Sequence, residues 1–355
     1  MKNSVKIISL LLILVMALAA VSCGEKTVEY TLGMGVVTND HDMAAGKAQN
    51  NSLVATVLLA DGKIVSCRVD AAQNVATIAE DGSFTVTKLE KTKRELGNDY
   101  NMATYGKDTD NNGDGVVKEW FEQAEAFEKW CEGKTPAEVE ALKTKAATQG
   151  AVGYQIADDD ALLSAGCTIQ VADFRDAVVK ACKDDQAVKF TLSAKAEVKL
   201  GVAVNSSLDS SSAAATAEKD GAVNMYSDFA AAAVSDGKVV ATVNDAVQPK
   251  ITFKNNTDAP TFSFKATKRE LKSEYNMAAY GSDNNGDGIV KEWFEQSAAF
   301  SAFVTGKTAA EIAAMKTQTV NDHQISVEED LLKAGCTMQI TGLSAVVAKA
   351  ANNAR

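Results

Sequence analysis

The stretch DNNGDGVVKEWFEQ, from Asp110 to Gln123, returns as DNNGDGIVKEWFEQ from Asp283 to Gln296, with Val116 against Ile289 as the single change. The match extends well beyond this block. TKRELGNDYNMATYG (Thr92–Gly106) returns as TKRELKSEYNMAAYG (Thr267–Gly281), and GKTPAEVEALKT (Gly133–Thr144) as GKTAAEIAAMKT (Gly306–Thr317). LLSAGCTIQV (Leu162–Val171) returns as LLKAGCTMQI (Leu331–Ile340), and LADGKIVSCRVD (Leu59–Asp70) pairs more weakly with VSDGKVVATVND (Val234–Asp245). The blocks keep their order, so the chain is one unit written twice, and each copy has the size of a domain rather than of a solenoid repeat. The expected boundaries are residues 23–182 for the first repeat, the polar stretch 183–189 as a linker, and residues 190–355 for the second.

Within one unit, NSLVATVLLADGKIVSCRVDA is two alternating runs around Asp-Gly, which predicts a β-hairpin. NVATIAEDGSFTVTKL predicts a further pair of short strands, and KTKRELGNDYNMA a short helix or ordered turn. Trp120, Ala124, Phe127 and Cys131 fall about one turn apart, which predicts an amphipathic helix stopped by Gly133. TPAE supplies Thr135 as N-cap, Pro136 at the first helical position and Glu138 three residues after the cap; Thr308 and Glu311 repeat the pattern. GCTIQV reads as a short strand and ADFRDAVVKAC as a closing helix. The expected fold is α+β: two homologous domains, each a small antiparallel sheet packed with helices.

Lys2 and Lys6 precede the apolar run VKIISLLLILVMALAAV, and small residues then lead to Cys23. This is the pattern of an export signal, with residues 1–22 as the signal peptide. AVSC resembles the lipobox of bacterial lipoproteins, although Ala20 stands where Leu is commoner. The resemblance implies cleavage before Cys23 and a lipid on that thiol, hence a cell-surface protein anchored to the membrane. Five further cysteines, Cys67, Cys131, Cys167, Cys182 and Cys336, have no tight spacing, so neither a disulfide framework nor a thiolate metal site is indicated. The formal charge of −11 repels phosphate backbones and argues against a nucleic-acid partner.

The repeated acidic loops carry the pattern of a calcium site. Asp110, Asn112 and Asp114 occupy positions 1, 3 and 5, Gly115 is the turning residue at position 6, and Asp283, Asn285 and Asp287 repeat them. The second half of the loop departs from that pattern. Phe121 stands at position 12, where a bidentate Glu belongs, and Lys118 at position 9 brings positive charge. Two readings stay open: a weak, dockerin-like calcium site, or an Asx/Gly turn that caps the Trp helix.

The order of elements resembles the FMN-binding domain of bacterial surface lipoproteins, with VATVLLADGKIVSCRVD as its strand pair and GCTIQVADFRDAVVKA at its Gly-Ala-Thr turn and helix. The resemblance implies FMN held or esterified at that turn, with Gly166, Thr168, Gly335 and Thr337 as the binding residues. It also implies flavin-dependent electron transfer or a redox-accessory role with a redox partner. Cys replaces Ala in both turns, and the acidic residue of the flavin-transfer motif is missing. The alternative is a non-enzymatic surface module for binding or adhesion, with a surface ligand. Only His41 and His323 are present, and they are not repeat-equivalent, so no His-based catalytic group set is recognised. Trp120 and Trp293 read as core residues, Asp158–Asp160 as either a helix cap or a solvated acidic face, and the protein as a monomer.

Overall fold

The computed structural model describes residues 26–40, 42–104, 110–149, 153–280, 283, 286, 288 and 290–355. Cys23 and the signal segment 1–22, together with His41, Asn285 and Asp287, lie outside the described residues. The fold is α+β. In the first half, strands Thr27–Asn39, Lys47–Ala60, Lys63–Ile78 and Phe84–Lys88 form an antiparallel meander. The predicted hairpin turns at Asp61 and Gly62, whose φ values of 50° and 74° give both central residues the left-handed geometry that matches strand twist. Strands Lys199–Leu208, Met225–Ser235 and Lys238–Val247 repeat the arrangement in the second half.

Both faces of these sheets are apolar, and each face is covered differently. On one side of the first sheet, Leu53, Ala55, Val57, Cys67 and Val69 pack under helices Trp120–Cys131 and Ala172–Cys182. Helices Trp293–Val304 and Thr341–Asn352 cover the second sheet in the same way. On the remaining side, Leu32, Met34, Val36, Val54 and Leu58 of the first sheet meet Leu200, Val202, Phe229, Ala231 and Val243 of the second in one cluster. The layers therefore run helix, sheet, sheet, helix, and the central layer takes side chains from both halves. A sheet apolar on two faces must be covered on two faces. The two repeats thus share one core cluster across this layer.

The expected linker is structured for the same reason. Val188–Ser193, at the start of the second copy, pairs antiparallel with Thr27–Leu32 and extends the sheet of the first. Asp184 forms a bidentate pair with Arg269 at 3.0 and 3.1 Å and accepts the Met34 amide at 3.1 Å. Two reciprocal ion pairs cross between the halves, Lys180–Glu270 and Lys349–Glu95, each at 2.7 Å. Residue x of one copy meeting residue y of the other, and y meeting x, is the contact pattern of an isologous dimer written in one chain.

Other local expectations hold. Thr135 and Thr308 close capping boxes with Glu138 and Glu311, and Asp159 caps the helix Asp160–Ser164. GCTIQV is not a strand: Cys167–Val171 is irregular and leads directly into the Ala172–Cys182 helix. The small hairpins Thr144–Ala146/Gln155–Ala157 and Thr317–Val320/His323–Ser326 are additions that the sequence did not announce.

Gly33 and Gly201 fix how closely each closing helix lies on its sheet. A Cβ at Gly33 would sit 2.0 Å from the Ala181 carbonyl oxygen, and one at Gly201 1.9 Å from that of Ala350. The obstacle is backbone and cannot swing aside. Gly33→Val and Gly201→Val are each expected to destabilise by about 3 kcal/mol, the upper end of overpacking; a thermal melt unchanged by either substitution would contradict this packing.

Candidate functional site

The acidic loop and the Gly-Cys-Thr turn are far apart in sequence, and the fold joins them at the start of the Trp120–Cys131 helix. Asn111 Nδ2 donates to the Thr168 carbonyl at 2.8 Å. Gln123, inside the helix, accepts the amides of Thr168 and Ile169 on one oxygen at 2.8 and 3.0 Å. Its Nε2 donates to the Lys118 carbonyl at 2.8 Å. The second half repeats this, with Gln296 accepting from Thr337 and Met338 at 2.9 and 2.8 Å. One glutamine per copy ties loop, helix and turn together.

Within the first loop, Asp110 accepts the amides of Gly113 and Gly115 at 2.9 and 3.2 Å, and Asp114 accepts that of Val116 at 2.7 Å. Gly113 and Gly115 have φ of 75° and 79°, a region that a side chain disfavours, so the glycines permit the tight path. Asn112 donates from Nδ2 to Asp114 at 2.8 Å, while its Oδ1 is enclosed and accepts no hydrogen bond among the described residues. In the second loop Asp283 accepts the amides of Gly286 and Gly288, both at 2.8 Å. The acidic side chains nearby are engaged elsewhere. Glu119 accepts the amides of Met102 and Ala103, and Glu122 that of Glu119. Lys118, expected to bring charge to the loop, instead donates to the Ala165 carbonyl at 2.7 Å, at the end of a short helix; Lys291 does the same to Ala334. Among the described residues, no group of three or more His, Cys, Asp or Glu side chains is arranged to hold a metal.

The turn itself faces inward. Thr168 is 1% and Thr337 2% exposed, and the Lys118 side chain lies over Gly166, where a Cβ would meet its Cε at 2.7 Å. The amides that a phosphate would use are engaged: Gly166 with Leu163, Cys167 with Leu162, Thr168 and Ile169 with Gln123. Burial pushes the Cys167 and Cys336 thiols up to about 12, as expected of core cysteines. Trp120 and Trp293 are buried, and Lys268 sits over the rings of Tyr226, Tyr275 and Trp293 at 4.9, 4.7 and 5.6 Å.

Sequence reasoning missed a pair of buried aspartates. Asp70 accepts the amides of Ala71 and Arg94 at 2.7 and 3.3 Å; Asp245 accepts those of Ala246 and Arg269 at 2.7 and 3.0 Å. The signal was present, since the Asp-Ala ending of the hairpin and the TKRE capping box both occur twice. Burial drives both carboxyls up from 3.8 to about 6, against the opposing pull of Arg94 and Arg269. Burial does the same to Asp228, against Lys268. The two arginines then diverge. Arg94 pairs with Glu128 at 2.6 Å, which also holds Arg355 at 2.9 Å and the Val69 amide at 2.7 Å. Arg269 has Ser301 at the place of Glu128, and reaches across to Asp184.

A folded-state value of about 6 lies above the ordinary 3.8, so the folded chain binds these protons more tightly than the unfolded one. The resulting stability is full at acid pH, below the ordinary value, and is lost as pH rises through about 6. The melting temperature is therefore expected to fall between about pH 4 and pH 6. The double variant Asp70→Asn/Asp245→Asn should flatten that slope in calorimetry; an unchanged slope would mean that other groups set it.

Comparison of the chain with protein-family models, with curated proteins and with solved structures finds no match.

Proposed function

We propose that the chain is a lipid-anchored, non-catalytic binding module of the extracytoplasmic surface, tethered through Cys23, whose two acidic loops take calcium weakly. The observation that carries the calcium reading is the Asn112 Oδ1: an enclosed acceptor at position 3 of the first loop, on the side chain whose Nδ2 meets Asp114, with no hydrogen bond from the described residues. Buried polar atoms are normally satisfied, and a hard cation is the partner that an oxygen at this position of such a loop takes. Asp110 is already oriented by two glycine amides, so the loop is shaped before an ion arrives. The Lys118 ammonium is drawn off to Ala165.

Affinity is low because position 12 is Phe121 and the neighbouring glutamates serve as caps. Backbone carbonyls and water complete the shell, which suits a dissociation constant of about 10⁻⁴–10⁻³ M. The bound ion adds a cross-link where loop, Trp helix and Gly-Cys-Thr turn meet, so its role is to stiffen the surface that the module presents. The flavin reading would need a phosphate on amides that Gln123 and Gln296 hold, with Thr168 and Thr337 brought out of the core, and it is not adopted.

Calcium at tenfold excess over its dissociation constant stabilises a single site by about 1.4 kcal/mol. The full-length chain is therefore expected to melt several degrees higher in millimolar calcium than in chelator, and Asp110→Asn/Asp283→Asn should abolish the difference. A melt indifferent to calcium removes the metal from this reading. For the anchor, Cys23→Ala is expected to release the chain from the membrane fraction and to abolish incorporation of a labelled fatty acid; retention on both counts would mean that another segment anchors it.

A further inference from the structure

One polar side chain between the two sheets is left without a partner. Asn50, on strand Lys47–Ala60, is wholly removed from water, and neither its Oδ1 nor its Nδ2 has a hydrogen-bond partner among the described residues. Strand register places it directly opposite Asn74, so the two carboxamides share one face of the first sheet. That face is turned to the second repeat. Asn74 Nδ2 donates to Ser227 Oγ at 3.1 Å, and Ser227 Oγ lies 2.8 Å from Ser206 Oγ. Asn74 and Ser227 are buried as well.

The surroundings set the chemistry of this place. Two residues either way along the paired strands, the neighbours on the same face are Ala48, Ser52, Ala72 and Ala76, all small. Ala48 and Ala76 belong to one apolar cluster, and Ala72 and Val54 to another, so the Asn pair sits at the seam of the two. Counted from the paired hairpins, the second repeat carries Met225 and Pro249 at these positions, so the fold itself does not demand polar groups here. A carboxamide brings two donors and an oxygen with two lone pairs, and buried ones are normally satisfied. The groups that meet at the seam are carboxamides and hydroxyls, neutral donors and acceptors that offer an ion no opposite charge. Their burial restricts any guest to a small molecule.

We infer that this seam is an internal water site, in which ordered water held by the Asn50 carboxamide bridges the first repeat to the second beside the Asn74–Ser227 bond. Water donates and accepts at once, which is what a carboxamide unpaired at both ends requires. Apolar contact between the sheets has no direction of its own, whereas a satisfied buried network does. The water therefore helps to fix one sheet in register on the other, and only the first repeat supplies the carboxamides that hold it.

The test is a high-resolution crystal structure of the full-length chain, joined to oxygen-17 relaxation dispersion of the same protein in solution. The crystal is expected to show water oxygen within about 3.2 Å of Asn50 Oδ1 and of Asn50 Nδ2. Asn50→Leu keeps the side chain's shape and removes its polar atoms, and Asn50→Met places the second repeat's residue there. Either variant, once folded, is expected to lose the dispersion amplitude of at least one long-lived water. Wild-type density with no water at either end of the Asn50 carboxamide would overturn the inference whether or not the variants fold. So would an unchanged dispersion amplitude in a folded variant, or a bromide soak that places an anion at the seam.

Discussion

The apolar layer between the two sheets is the contact on which the rest of the molecule depends. Leu32, Val54 and Leu58 on one side and Leu200, Phe229 and Val243 on the other are essentially removed from water. Each such side chain contributes roughly 1.5–3 kcal/mol relative to exposure, so neither sheet tolerates separation from the other. The outer helices can only cover what the central layer leaves. Their depth is set by backbone contact at Gly33 and Gly201, and the helix-side clusters follow from that depth.

Around this layer the copies have kept what symmetry requires and changed what it does not. The reciprocal pairs Lys180–Glu270 and Lys349–Glu95 survive because each capping-box glutamate faces the other copy's closing helix. The arginines that follow the capping threonines have parted ways. Arg94 closes a cluster with Glu128 inside its own half, while Arg269 reaches Asp184 of the opposite half. With Ser301 in place of Glu128, Arg269 needed an acid from elsewhere, and the segment after the first closing helix provided one.

Much of this was legible in the sequence because the information was local. The Asp61-Gly62 turn, the Thr135 and Thr308 boxes, the Trp helices and the Asp159 cap all depend on residues within a few positions of each other. What escaped was non-local. Apolar strands read the same whether they face a helix or another sheet, so the layer shared by the two repeats was not visible. The Gly-Cys-Thr segment has strand-like composition, yet Gln123 claims its amides and holds it irregular. Of the candidate sites, the loop geometry around Asp110 followed from Asx and Gly placement. The link from loop to turn did not, because Asn111 and Thr168 meet only once the helix is docked.

The edge strand Val188–Ser193 has a bearing on how the chain matures. The strand that opens the molecule, Thr27–Asn39, waits for a neighbour made only after the entire first copy has been synthesised. Until then the nascent first copy presents an unpaired backbone rim and a bare greasy face, an invitation to wrong pairing. Closure of the first sheet therefore depends on the start of the second copy, and the open rim needs shielding until that strand docks.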